Sequence, residues 1–257
     1  MGIILKTGKI LLAIFFLSFI FLLSGCQTTY DLLRADPAPQ TKFLPREPKL
    51  REMEATFPFR KMWIEKTADW KNYTKIMILP VSTRNLFEQS WWNMFNEVNT
   101  INSAIEDHQY FAGYIESSFR DALKQDSSHK FKEVSTPGPG TVIFEMALVK
   151  FVPTKSLLTI IETVTGFFIP GVGLLSIFNS GEIVIEGKVT DAQTGRTLML
   201  FADREKDRAA IINIAGLQWY KPSENNVDCW SEKFVEIMNT RKYKDVWIRC
   251  PVTIIDW

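Results

Sequence analysis

Two histidines, three cysteines and a formal net charge of +1 leave this 257-residue chain few routes to chemistry. No Gly-x-Ser-x-Gly, His-Glu-x-x-His or Cys-x-x-Cys occurs, which excludes the nucleophile elbow, the zinc-protease helix and the usual zinc knuckles. His108 and His129 lie far in sequence from Cys229 and Cys250, so no mixed His/Cys metal set is expected. Gly171-x-Gly173 lacks the third glycine of a dinucleotide fingerprint. Ser127-Ser128-His129-Lys130 has a Ser-x-x-Lys spacing, but the companion Ser-Asp-Asn element is missing and its setting is a polar turn. With balanced charge, no overall field draws the chain to nucleic acid or to anionic lipid. No cofactor, no metal and no enzymatic activity are expected. A membrane-spanning run is also missing. The uncharged apolar stretch Ile10 to Leu23 is about 14 residues, short of the roughly 20 a spanning helix needs.

That short run is what the chain offers first. Lys6 and Lys9 precede it and small residues follow it, the layout of an export signal over 1–25. It ends in Leu23-Ser24-Gly25-Cys26, which resembles the lipobox of bacterial lipoproteins, where cleavage falls before the Cys and its sulfur takes a diacylglycerol. The resemblance implies a mature chain that begins at an acylated Cys26, held by several acyl chains at about 0.8 kcal/mol per buried CH₂. Gln27 stands where an Asp would favour inner-membrane retention. The resemblance therefore implies the inner leaflet of a Gram-negative outer membrane, with the protein facing the periplasm. Membrane lipid is then one partner, through Cys26.

After the signal the charge balance is about −1, and about 230 residues suit one domain. Residues 26–69 carry Pro37, Pro39, Pro45, Pro48 and Pro58 without a sustained apolar period, and read as a flexible tether. Phe57, Phe59, Met62 and Trp63 suggest that its last part docks on the domain. The domain is expected over 70–241, with 242–257 as a C-terminal extension.

Within it, Lys75 to Val81 reads as a buried strand ending at Pro80. Leu86 to Val98 and Ser103 to Lys124 read as helices, the second with Phe111, Tyr114, Ile115, Phe119, Ala122 and Leu123 in one stripe. Phe131 to Val134 is a short strand. Thr141 to Val152 alternates Val142, Phe144, Met146 and Leu148 on one face, and Gly181 to Thr190 places Ile183, Ile185 and Val189 together. Asp191 to Arg196 is turn chemistry joining a hairpin to Thr197–Asp203. Val227 to Arg241 is a helix with Trp230, Phe234, Ile237 and Met238 inward, capped by Asp228 or Asn226. The tail from Val246 to Trp257 has the composition of a strand. The expected class is α+β, a mostly antiparallel sheet covered by helices on one face.

Four features then resemble the bacterial lipoprotein family known as domain of unknown function 3313. They are Tyr73-Thr74-Lys75-Ile76 through Pro80-Val81; Pro137-Gly138-Pro139-Gly140; Pro153 with the apolar insert after it; and Asp191-Ala192-Gln193-Thr194-Gly195 leading to Ala202-Asp203-Arg204. With the lipobox they span Trp70 to about Asn239. The resemblance implies an envelope lipoprotein with a compact α/β domain, and it carries no catalytic residues over.

Several constellations have more than one reading. Ser156 to Phe178 is the most apolar mature segment, interrupted by Glu162, Pro170 and three glycines. It is a helix and crossover packed on the sheet, an exposed loop whose Phe167, Phe168, Ile169, Leu174 and Leu175 meet a leaflet or partner, or, more remotely, a second membrane span. Trp91 and Trp92, with Phe87 and Phe95, are either core or an aromatic ligand surface. Asp203 to Arg208 alternates in sign, as a solvated edge or a binding rim does. Cys229 and Cys250 would close a loop of about 20 residues as a disulfide, or remain buried thiols. The function expected is a non-enzymatic envelope lipoprotein that binds or scaffolds an envelope protein partner. The alternatives are a lipid- or glycan-binding transport module and, more remotely, a cell-wall hydrolase. A homo-oligomer is compatible with all three.

Overall fold

The computed structural model describes residues 36–37, 40–54, 57–86, 98–152, 182–206, 220–240 and 246. Among them runs a mixed seven-stranded sheet in the order β1-β2-β7-β6-β5-β3-β4. The strands are β1 Arg51–Glu52, β2 Lys61–Ile64, β3 Lys75–Ile78, β4 Lys132–Glu133, β5 Thr141–Val152, β6 Glu182–Asp191 and β7 Thr197–Lys206. Two helices accompany them, α1 Val98–Gln125 and α2 Lys221–Asn239. The class is α+β, as expected, but β3 lies parallel to both β4 and β5. The reason is connective: α1 stands between β3 and its partners, and such a crossover returns the chain in the same direction.

Both helices pack on one face of the sheet. Their apolar stripes (Phe111, Ile115, Phe119 and Leu123 on α1; Val227, Trp230, Phe234 and Ile237 on α2) meet Phe144, Met146, Ile185, Met199 and Phe201 in one core. Phe144 stacks on Phe234 at 4.2 Å and 10°, and Phe119 meets the same Phe234 at 5.5 Å. Phe234 thus ties both helices to the sheet centre. A register shift between Leu148 and Lys150 returns Phe151 to the helix face after Leu148.

Gly187 sits opposite Phe201. A Cβ there would come within 2.1 Å of the Phe201 ring, which stacks on Phe59 at 4.2 Å and therefore has nowhere to go. Gly187→Ala should cost about 1–3 kcal/mol by overpacking, despite alanine's better strand entropy. Urea denaturation checks this, and an unchanged midpoint would contradict the packing described.

Of the stretch 26–69 expected as a tether, the described part from Gln40 on does not run free. From Gln40 on, the described chain is built onto the domain: β1 and β2 extend the sheet through β7, and Leu44, Phe57, Phe59 and Met62 are buried. Residues 40–50 cross the face opposite the helices as an irregular arm. Leu44 packs with Leu200 and Ala202, while Phe43 also contacts the cluster of Ala147, Val149 and Val184. Prolines break regular structure in this stretch but do not prevent docking, because side chains and a few backbone bonds hold it.

Two other expectations change. The last helix begins at Lys221 with Pro222 in its first turn, so Asp228 does not cap it. Mid-helix, Asp228 accepts Tyr114 Oη on both oxygens at 3.0 Å and Ser118 Oγ at 2.8 Å, a polar clasp between α2 and α1. The alternation from Asp203 is no solvated edge in its described part: Asp203 and Glu205 are buried on the helix face, and Arg204 pairs with Glu182 at 2.7 Å. Within β7, Asp203 and Glu205 share the parity of Met199 and Phe201. No helix among the described residues is long and apolar enough to cross a membrane.

Candidate functional site

Three motifs far apart in sequence meet at one corner of the sheet. Asp191 turns the β6–β7 hairpin by accepting the backbone N–H groups of Gln193 and Thr194 at 2.9 and 2.7 Å. Gly195 follows with φ +69°, the left-handed conformation such a turn needs. The other Asp191 oxygen accepts Tyr73 Oη at 2.7 Å. Thr74 and Lys75 both donate their N–H to Gly140 O at 3.1 Å. Gly140 itself has φ +68°, and a Cβ on it would meet Asn72 O at 2.9 Å. The Tyr73, Pro-Gly-Pro-Gly and Asp191 motifs are thus one mechanical brace.

Beside this brace opens a cavity of about 410 Å³, within the range that small-molecule sites occupy. Ile64, Met199, Ile237 and Met238 supply its apolar lining, and Glu65, Lys66, Asp69, Lys71 and Thr240 its polar lining. Trp70 belongs both to this lining and to the brace, meeting Tyr73 edge-on at 6.0 Å. Glu65 is held in place by the Thr67 N–H at 3.0 Å and by Arg196 at 2.8 Å. The arrangement suits an uncharged or zwitterionic ligand with an apolar body. Among the described residues no group of three potential metal ligands exists.

The charges at this corner are fixed. The Thr67 N–H, aided by Arg196, lowers the Glu65 pKa to about 2. Tyr73 Oη likewise lowers that of Asp191, while burial and the same bond raise Tyr73 to about 12. A carboxylate whose folded pKa is depressed adds stability above its unfolded value, about 4.3 for Glu and 3.9 for Asp, and that stability is lost as pH falls through the folded value. Both side chains face water, so the effect is small. Glu65→Gln and Asp191→Asn should each flatten the loss of stability between about pH 4.5 and 2, which denaturant midpoints across that window measure. An unchanged acid slope would show these bonds to be inert.

A second carboxylate behaves oppositely. Glu186 is buried on the face the arm crosses and accepts Thr41 N at 2.7 Å and Thr41 Oγ1 at 2.5 Å. Burial raises its pKa despite these bonds. Both Glu186 and the buried Asp203 escaped sequence reading, since an acidic residue within a strand looks the same whether its face is covered or wet.

Of the sites read from sequence, Cys26, Trp91, Trp92, Phe167, Phe168, Ile169, Leu174, Leu175 and Cys250 lie outside the described residues. Cys229 lies on α2, buried and disulfide-bonded.

Residues 39–215 match the family described as protein of unknown function DUF3313. The match begins 31 residues before Trp70, where the arm begins, and ends before α2. No curated protein matches the chain. Among solved structures, a hypothetical protein from Chlamydia trachomatis is similar at 9% identity with a TM-score of 0.31, over 68% of this chain and 98% of that one.

Proposed function

The chain belongs to the DUF3313 family, and from that premise we propose a lipid-anchored, non-enzymatic protein of the outer membrane's periplasmic face that binds or scaffolds another envelope component. One observation carries this reading: an apolar run closed by Leu23-Ser24-Gly25-Cys26, the pattern at which bacterial lipoproteins are cleaved and acylated. Docking of the arm from Gln40 onward supports a close tether. Gln40 stands only 14 residues after Cys26, a span of at most about 50 Å. The domain then works near the bilayer.

Cys26→Ser should leave an unprocessed precursor and abolish labelling by a fatty-acid probe in cells. Retained labelling overturns the anchor. Crosslinking the native protein should recover a reproducible envelope protein, and recovery of nothing but itself counts against a heteromeric scaffold.

The 410 Å³ cavity favours a second reading, a carrier of a small lipid or glycan. Native mass spectrometry of the mature chain should then show a bound molecule that Met199→Trp, which fills the cavity, displaces. A clean apo mass with no uptake counts against it.

A further inference from the structure

The arm that crosses the sheet holds a second cavity, larger and more open, of about 780 Å³. Its described lining includes Lys42, Arg46 and Lys49, with Leu50 and Leu86 as the apolar part and no carboxylate among the described residues. All three cations are exposed, and none has a carboxylate partner among the described residues. Several cations on the sheet and helices are neutralised by a neighbour. Lys150 and Arg204 share Glu182, Lys188 pairs with Glu145, and Arg120 pairs with Glu116 and Glu133. Glu47 and Glu52 belong to the same stretch but do not line this cavity.

The arm is also held in shape. Glu186 anchors Thr41 from below, Phe43 N–H donates to Thr41 Oγ1 at 3.0 Å, and Gln40 Nε2 donates to Pro45 O at 3.0 Å. Leu44 is pinned in the sheet face between the lysines. Three charges are therefore presented from a fixed backbone, with an apolar floor behind them. Such a set suits an anion that brings an apolar portion with it.

We propose that this cavity seats the phosphate of an anionic phospholipid headgroup in the leaflet that holds the acyl anchor. The proposal rests on the lipid-anchor reading for its biological setting. The distance allows it: Lys42 stands 16 residues after Cys26, a reach of at most about 58 Å. A site tied to the leaflet meets its headgroups at high effective concentration, so modest intrinsic affinity suffices. Contact there would set which face of the domain looks toward the membrane and leave the cavity lined by Glu65 and Met199 facing a periplasmic partner.

The test uses the mature chain from residue 26 carrying Cys26→Ser, so that no acyl chain contributes, in cosedimentation with vesicles. It should bind phosphatidylcholine mixed with phosphatidylglycerol and ignore phosphatidylcholine alone. A basic residue near an anionic surface contributes about 1 kcal/mol, roughly fivefold. The triple variant Lys42→Ala, Arg46→Ala, Lys49→Ala should therefore lose on the order of 100-fold in partitioning, with an unchanged melting temperature. Lys124→Ala, Lys132→Ala, Lys221→Ala removes as many charges elsewhere and should bind as the parent does. Equal loss in both variants would make the effect one of net charge and overturn the site. Displacement from the vesicles by millimolar inorganic phosphate would make it a free-anion site and overturn the headgroup. Failure to bind vesicles rejects this proposal while leaving Cys26 acylation standing, and retained probe labelling in Cys26→Ser cells rejects the anchor without touching the vesicle result.

Discussion

Asp203→Ala should destabilise the fold by about 4 kcal/mol, since it orphans two buried donors at about 1–3 kcal/mol each and leaves a small void. Asp203 is 2% exposed on the helix face of β7. One of its oxygens accepts Trp230 Nε1 at 2.7 Å and the other the Arg60 backbone N–H at 3.0 Å. The carboxylate therefore ties α2 to strand β7 and to the turn at Arg60 that leads into β2, where the β2–β7 pairing begins. Alanine leaves an indole N–H and a peptide N–H facing a dry core. Asp203→Asn keeps one carbonyl oxygen and loses one acceptor, so its cost should be about half. Trp230→Phe removes the indole donor, leaves one oxygen of the buried carboxylate unpaired and opens a void beside it, so it should cost at least as much as Asp203→Asn. Equilibrium unfolding in urea ranks the three, and an alanine variant within 1 kcal/mol of the parent would refute the bolt.

The same residue shows where sequence reading stops. Asp203 shares the face of Met199 and Phe201 in β7, yet a run of alternating charges reads as solvated because nothing local reveals α2 arriving from about 30 residues away. Helix stripes were legible for the opposite reason: Phe111, Ile115 and Phe119 carry their own periodicity. So were the corner motifs, whose glycines and Asp191 act through local backbone geometry. What bound them into one brace, Tyr73 against Asp191 across 118 residues, was not. The arm was hidden by its prolines, since its docking depends on Leu44 finding Leu200 and on Thr41 finding Glu186. Both partners lie about 150 residues on, beyond any window of local pattern. The two cavities follow from these long-range meetings and had no signature of their own. The limit on the proposed lipobox is different: a signal of that kind is read by a protease before folding, so its whole pattern is local.

Breaking the disulfide at Cys229 should cost about 3 kcal/mol, the chain-entropy value for a loop of about 20 residues. Cys229 is buried on α2, between Asp228, which clasps α1, and Trp230, which donates to Asp203. Of the three cysteines, Cys26 is expected to carry the lipid, which leaves Cys250 as the partner. That bridge would fasten the C-terminal extension to α2, and Val246, the one described residue of that extension, is buried in the main core. Peptide mapping without reductant should return Cys229 joined to Cys250. Cys229→Ser, Cys250→Ser and the double variant should then share one lowered stability, since each opens the same loop, and reductant should lower the parent to that level while leaving the variants unmoved. If Cys250→Ser matched the parent, the loop assignment would fail. A domain that loses this much only when reduced is one suited to an oxidising compartment, which gives the periplasmic reading a test independent of the anchor.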